Sequence, residues 1–188
     1  MSPPAFRRLL VIGPGGAGKS TLAAQVAQRT GLPLVHLDAH FWRSGWRATP
    51  DDEWTQRVYA LLVGEAWVMD GHFGGTLERR LAACDAVVYL DLSPWRCLWR
   101  VLRRRLRHRG QPRPDMAPGC NERLDLSFAG WILGFRRTRR PKLLARLEAA
   151  RARGVQVFVL DTPASVAAWL AALGQAGGGY LAPRAGAR

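Results

Sequence analysis

The sequence predicts an α/β fold, a parallel sheet with helices on both faces, and three observations predict it. Five short apolar runs recur along the chain and read as buried strands. Stretches of helical spacing separate them, and parallel strands need such crossovers, which then cover the sheet. A glycine-rich turn joins the first run to the first helix. The chain has 188 residues, 48% hydrophobic and 22% charged, a composition that suits one core. A single domain is expected over 1–173, with a frayed Gly- and Ala-rich tail over 174–188.

The first run is 7–13 (RRLLVIG), and Leu22, Val26 and Ala27 give 19–30 a helical period that Gly31 stops. The second strand is expected over 33–37. An aromatic-rich loop follows, and then Thr49-Pro50-Asp51-Asp52 opens a helix with a hydroxyl cap, a first-turn proline and early acids. Trp54, Val58, Leu61 and Leu62 face its core. Runs 66–70 (AWVMD) and 86–90 (AVVYL) flank a short helix near 76–83. Ser93-Pro94 starts a long basic helix reaching about Arg107, and the prolines and glycines of 110–121 break regular structure. Helical pattern resumes at Leu124, is interrupted at Pro141 and continues to Arg153. The fifth strand is 156–160 (QVFVL), and 163–173 is the last helix.

Several classes are excluded or disfavoured. No apolar run is long enough to span a membrane and no secretory leader pattern opens the chain, so a soluble, cytoplasmic protein is expected. Cys84, Cys97 and Cys120 form no CxxC pair, which speaks against a disulfide framework or a zinc site. The 28 basic against 14 acidic residues leave a net charge of +14. Such a charge suits a polyanionic partner. Arginine abundance beside Ala and Gly also has a purely compositional reading, that of a GC-rich coding sequence.

Gly13-Pro14-Gly15-Gly16-Ala17-Gly18-Lys19-Ser20, with Thr21 after it, fits GxxxxGKS, the phosphate-binding loop known as Walker A. It lies between the first strand and the first helix, as its mechanism requires. Glycines turn backbone N–H groups inward around phosphate oxygens, and the helix N-terminus adds a positive dipole end. Lys19 reaches the β- and γ-phosphates, and Ser20 ligates Mg²⁺. Lys19 is one of only two lysines, a compact ammonium where arginine is otherwise used throughout. ATP and Mg²⁺ are the expected cofactors.

The stretches GPGGAGKST, LVHLDAHFW, WVMDGHFGGT, VVYLDLSPWRCLWRVLRRRLRHRG and RPDMAPGC occur in this order over about 7–173. In them the chain resembles the adenylate-kinase-like branch of P-loop kinases, and most closely the small DNA topology modulation proteins. The resemblance implies a five-stranded parallel sheet in the order 2-3-1-4-5 and transfer of the γ-phosphoryl group of ATP to a small acceptor, a nucleotide or nucleoside first of all. Asp70 resembles the acid of the DGFPR stretch of adenylate kinases, and that role would be an outer-sphere magnesium residue. Here the stretch reads Asp70-Gly71-His72-Phe73, so Arg79 or Arg80 would supply the missing charge, with Arg80 preferred.

On the residues themselves, Asp38 and Asp70 end the second and third strands and project at the carboxyl edge beside the loop. Phosphoryl transfer needs positioning and electrostatic clamping. Asp38 is accordingly read as the general base or an acceptor anchor. His36, His40 and His72 stand as structural hydrogen-bonders or substrate contacts. Phe41, Trp42 and Trp46 either stack on a flat acceptor or pack over the sheet edge.

Arg100, Arg103, Arg104, Arg105, Arg107, Arg109 and Arg113 crowd one helix end and the proline-containing loop. In the kinase reading, 104–123 is a mobile lid. Arg105 and Arg109, one turn apart, are its catalytic and ATP-binding candidates, with Arg123 beyond. A rival reading takes this stripe with Arg136, Arg137, Arg139, Arg140 and Lys142 as a nucleic-acid face of a P-loop NTPase. Trp95, Trp99 and Trp131 would then stack on bases, although their spacing with Leu98 and Leu102 predicts core packing. An acceptor-independent ATPase is the other alternative.

Overall fold

Each of the five apolar runs becomes a strand of one sheet in the computed structural model, which describes residues 6–107, 119–120 and 126–175. The elements are β1 (Arg8–Ile12), α1 (Lys19–Thr30), β2 (Leu34–His36), α2 (Leu37–Phe41), β3 (Trp42–Arg43), β4 (Arg47–Ala48), α3 (Asp51–Leu62), β5 (Trp67–Asp70) and a 3-10 turn (Gly74–Thr76). They continue with α4 (Leu77–Ala83), β6 (Ala86–Leu90), α5 (Pro94–Arg107), α6 (Leu126–Thr138), α7 (Arg140–Ala152), β7 (Gln156–Leu160) and α8 (Pro163–Gln175). The sheet order is β2-β5-β1-β6-β7, every pair parallel. Counting only these strands, that is 2-3-1-4-5. No helix among the described residues is long and apolar enough to cross a membrane.

Strand residues alternate between two cores, as a pleat requires. Leu9, Val11, Val68, Val88 and Leu90 face Leu22 and Val26 of α1 and Cys97 and Val101 of α5. Leu10, Ile12, Met69, Val87 and Tyr89 face Trp54 and Val58 of α3, Leu81 of α4 and Leu147 of α7. Because both faces are covered, the strands read as unbroken apolar runs.

Five local expectations are corrected. The second strand stops at His36, because its partner β5 ends at Asp70 in register with His36; beyond that pair there is no ladder to extend, and Asp38 falls in the first turn of α2. The aromatic loop contains the antiparallel β3–β4 hairpin. Thr49 does not cap α3: its hydroxyl donates to the Phe41 carbonyl at 2.6 Å, and Pro50 is the N-cap residue, just outside the first turn. The break between α6 and α7 falls at Arg139, two residues before Pro141, which sits in the first turn of α7. Proline is tolerated there because the amide it lacks has no partner in a first turn. The last helix runs to Gln175, two residues beyond its expected end at 173.

Candidate active site

The loop after β1 is shaped by contacts that exclude side chains. Gly16 has φ 79° and Gly18 φ 95°, left-handed values that glycine adopts without strain. A Cβ on Gly16 would lie 2.3 Å from the Cys97 carbonyl oxygen, so α5 closes one wall of the loop with backbone. Gly18 caps α1 with no side-chain hydrogen bond, and no acid lies in the first turn of α1. The helix therefore presents unoccupied amides and a positive dipole end. Gly15 lies under α6, where an added Cβ would come 2.6 Å from Phe128 Cζ. Gly13 abuts the Leu90 carbonyl in the same way.

Lys19 folds back across this loop and donates to the Pro14 carbonyl at 3.0 Å. Burial lowers its pKa, and the charges of Asp38 and Asp70 oppose that shift. Both carboxylates therefore act on the same ammonium, although Asp38 reaches it from a helix turn and not from a strand end. Asp70 is 2% exposed, and His36 donates from Nδ1 to its Oδ1 at 2.6 Å. That pairing follows directly from the His36–Asp70 register. Ser20 is half-buried and Thr21 exposed, in the first turn of α1.

Two arginines of α5, Arg100 and Arg104, act on the loop and its lysine. Arg100 Nη1 donates to the Ala17 carbonyl at 3.1 Å, and Arg104 is close enough to depress Lys19 electrostatically. Each follows a buried residue of α5, Cys97 or Val101, by three positions, the helical spacing that marks one face. That phase was available in the sequence. Arg105 is exposed. Arg109, Arg113, Arg123 and most of the expected lid lie outside the described residues.

The remaining candidates divide sharply. Arg80 is corrected from a substrate contact to an internal brace: it is fully buried, and its guanidinium donates to the carbonyls of Gly71 at 2.9 Å, His72 at 2.7 Å and Phe73 at 2.6 Å. Burial pulls its pKa down to about 9, which leaves it charged at neutral pH. Arg79 instead lies over the Tyr59 ring. Phe41 is packed edge-on or tilted against Trp42, Trp54 and Phe73, so its ring is committed to the sheet edge. Trp42 is half-buried between Phe41 and Trp46.

His72 sits edge-on to Phe135 at 4.9 Å, with Trp131 beyond at 6.3 Å. Burial pushes its pKa down to about 3, helped by the charges of Lys19, Arg80, Arg139 and Arg146. Among the described residues its buried Nδ1 has no hydrogen-bond partner, so a neutral imidazole faces the site among cations.

Two supports were not legible in the sequence. Asp91, 3% exposed, accepts from Arg140 at 2.7 Å and from Tyr89 at 3.0 Å, with Arg136 at 3.6 Å. This pins the α6–α7 junction to the end of β6. Cys120 donates from Sγ to the Arg43 carbonyl at 3.3 Å, and Gly45 donates to the Gly119 carbonyl at 3.3 Å. The end of the expected lid is thereby seated on the β3–β4 hairpin. Cys84, Cys97 and Cys120 are all free and buried.

No protein-family model matches the chain. A stretch of 49 residues, 26% of this chain, is 41% identical to a cytidylate kinase of Nitratidesulfovibrio vulgaris (strain DP4) and covers 21% of it. A stretch of 91 residues, 45% of this chain, is 35% identical to a tRNA dimethylallyltransferase of Acidiphilium cryptum (strain JF-5) and covers 28% of it. The chain thus spans less than a third of the length of these curated relatives. Among solved structures, a shikimate kinase from Acinetobacter baumannii in complex with shikimate superposes with a TM-score of 0.55 at 20% identity, covering 89% of this chain and 91% of that one. The chain shares that fold.

Proposed function

We propose that the chain is an ATP- and Mg²⁺-dependent kinase that transfers the γ-phosphoryl group to a small acceptor, a nucleotide or nucleoside first of all. The observation that carries this reading is a glycine loop that admits no side chain at Gly16, with Lys19 folded across it onto the Pro14 carbonyl and the charges of Asp38 and Asp70 both acting on that ammonium. A triphosphate grip and two acids at one sheet edge are what phosphoryl transfer requires. The local similarity to a cytidylate kinase supports a nucleotide acceptor.

Lys19 exchanges the Pro14 carbonyl for the β- and γ-phosphates, while loop amides and the α1 N-terminus hold their remaining oxygens. Arg100 and Arg104 add positive charge from α5. With a hydroxyl acceptor, Asp38 takes the hydroxyl proton as the acceptor oxygen bonds to the γ-phosphorus and the bond to the ADP oxygen breaks, leaving phosphorylated acceptor and ADP; with a nucleotide's phosphate as acceptor, the attacking oxygen is already ionised and Asp38 anchors the acceptor instead. The acids and the Ser20 hydroxyl form a hard oxygen donor set that fits magnesium. Ser20 would hold it directly, and Asp70, steadied by His36, through water. Bound magnesium supplies neutralisation of triphosphate charge. Neutral His72 and half-buried Trp42 are the groups left to contact the acceptor; Phe41 shapes the wall behind Trp42.

The test is an ATP-consumption screen against nucleotides, nucleosides and small hydroxylated metabolites, with mass spectrometry of the product. Stoichiometric phosphorylated acceptor and ADP are expected. Phosphate released at a rate that no acceptor increases would replace the kinase with a hydrolase.

A further inference from the structure

The spacing of Trp95 and Trp99 predicts core packing, and the structure leaves them 71% and 56% exposed. With Arg96 and Arg103 they line an open groove of about 740 Å³ along the outer face of α5, and its inner end is formed by Arg100 and Arg104 beside the phosphate loop. Exposed indoles of this size on a surface otherwise made of guanidinium groups call for a ligand with flat apolar faces and negative charge. The sequence of α5, PWRCLWRVLRRRLR, contains no acid, so a second copy of this helix would be repelled. Arg103 lies over the Trp99 ring, 5.2 Å from its centroid, and braces it.

A mononucleotide brings one base to this groove, whereas Trp95 and Trp99 stand one helical turn apart, about 6 Å along the axis. Two exposed indoles one turn apart on one helix, flanked by guanidinium groups, offer stacking places for more than one base of an unstacked strand and cations for the phosphates between them. A duplex hides its base faces and offers only phosphates. We propose that this groove binds single-stranded nucleic acid, stacking bases on Trp95 and Trp99 and pairing phosphates with Arg96 and Arg103. The assignment is independent of the phosphoryl-transfer reading.

The experiment is fluorescence anisotropy of the full chain with a labelled oligothymidylate and a labelled oligouridylate over a salt series. Unlabelled duplex DNA and phosphatidylserine vesicles serve as competitors. Trp95→Ala and Trp99→Ala should each weaken binding by about tenfold or more, while Trp99→Phe stays within about threefold because a stacking face remains. Arg96→Ala should reduce the salt slope by about 0.7. Unchanged thermal melting of the variants confirms their fold, as expected for exposed side chains. The assignment is overturned if the oligonucleotides do not bind, if either alanine variant binds them as the parent does, or if duplex competes as well as single strand, which would mean charge alone. Capture by vesicles in place of oligonucleotide also overturns it and makes the line from Trp95 to exposed Leu106 a bilayer surface.

Discussion

At the scale of single residues, the site is a set of charges whose environments force different roles on similar side chains. Asp38 and Asp70 are both carboxylates near Lys19, yet Asp70 is buried and held by His36, while Asp38 starts a short helix at the edge of the site. The asymmetry suits Asp38 to proton transfer. Asp38→Asn is predicted to lower kcat by about 10²- to 10⁴-fold with ATP affinity little changed, measured by steady-state kinetics and calorimetry. His72 gives a pH dependence of stability. Its folded pKa lies near 3 against 6.5 for the free side chain, so the unfolded chain takes up its proton first as pH falls. Stability is full above about 6.5 and declines below it by about 1.4 kcal/mol per pH unit toward 3. Urea unfolding at several pH values should show that slope reduced in His72→Leu. Lys19 and Asp70 were legible in the sequence because motif and apolar strand fix their places. Arg80 was not, because its carbonyl partners at Gly71, His72 and Phe73 are set by a turn whose shape no local pattern encodes.

At the scale of elements, α5 is more than a crossover: its backbone walls the loop, its inner arginines reach the loop, and its outer face carries two exposed tryptophans. Gly16→Ala would drive a methyl into the Cys97 carbonyl at a backbone angle that side chains disfavour. It is expected to cost about 1–3 kcal/mol of stability and to weaken ATP binding at least about tenfold, read by melting and calorimetry. Arg100→Ala should raise the KM for ATP about tenfold, the range of a charge-assisted hydrogen bond, while exposed Arg105→Ala changes it at most about threefold. Equal effects would move the phosphate contact out to the lid. Helix phase marks the inner arginines once Cys97 and Val101 are known to be buried, whereas charge density by itself does not separate them from the rest of the cluster. The end of β2 differs from the expectation for a comparable reason: the apolar pattern runs on to Leu37, but strand length is set by the partner, and β5 stops at Asp70.

At the scale of the whole molecule, topology assembles the site. Order β2-β5-β1-β6-β7 places the loop after β1 in the centre, with Asp38 of α2 and Asp70 at the end of β5 on one side and α5, which follows β6, on the other. That arrangement was readable because five apolar runs alternating with helices leave few ways to build a covered parallel sheet. The seating of Cys120 on the hairpin and of the α6–α7 junction on Asp91 was not, since each joins segments far apart in sequence. Phosphoryl transfer requires that the central loop grip a triphosphate. Isothermal titration calorimetry of the folded chain with magnesium and ATP tests this directly. Saturable heat is predicted, weakened at least about tenfold in Lys19→Ala; no heat with ATP, GTP, CTP or UTP, or equal binding by Lys19→Ala, would contradict it.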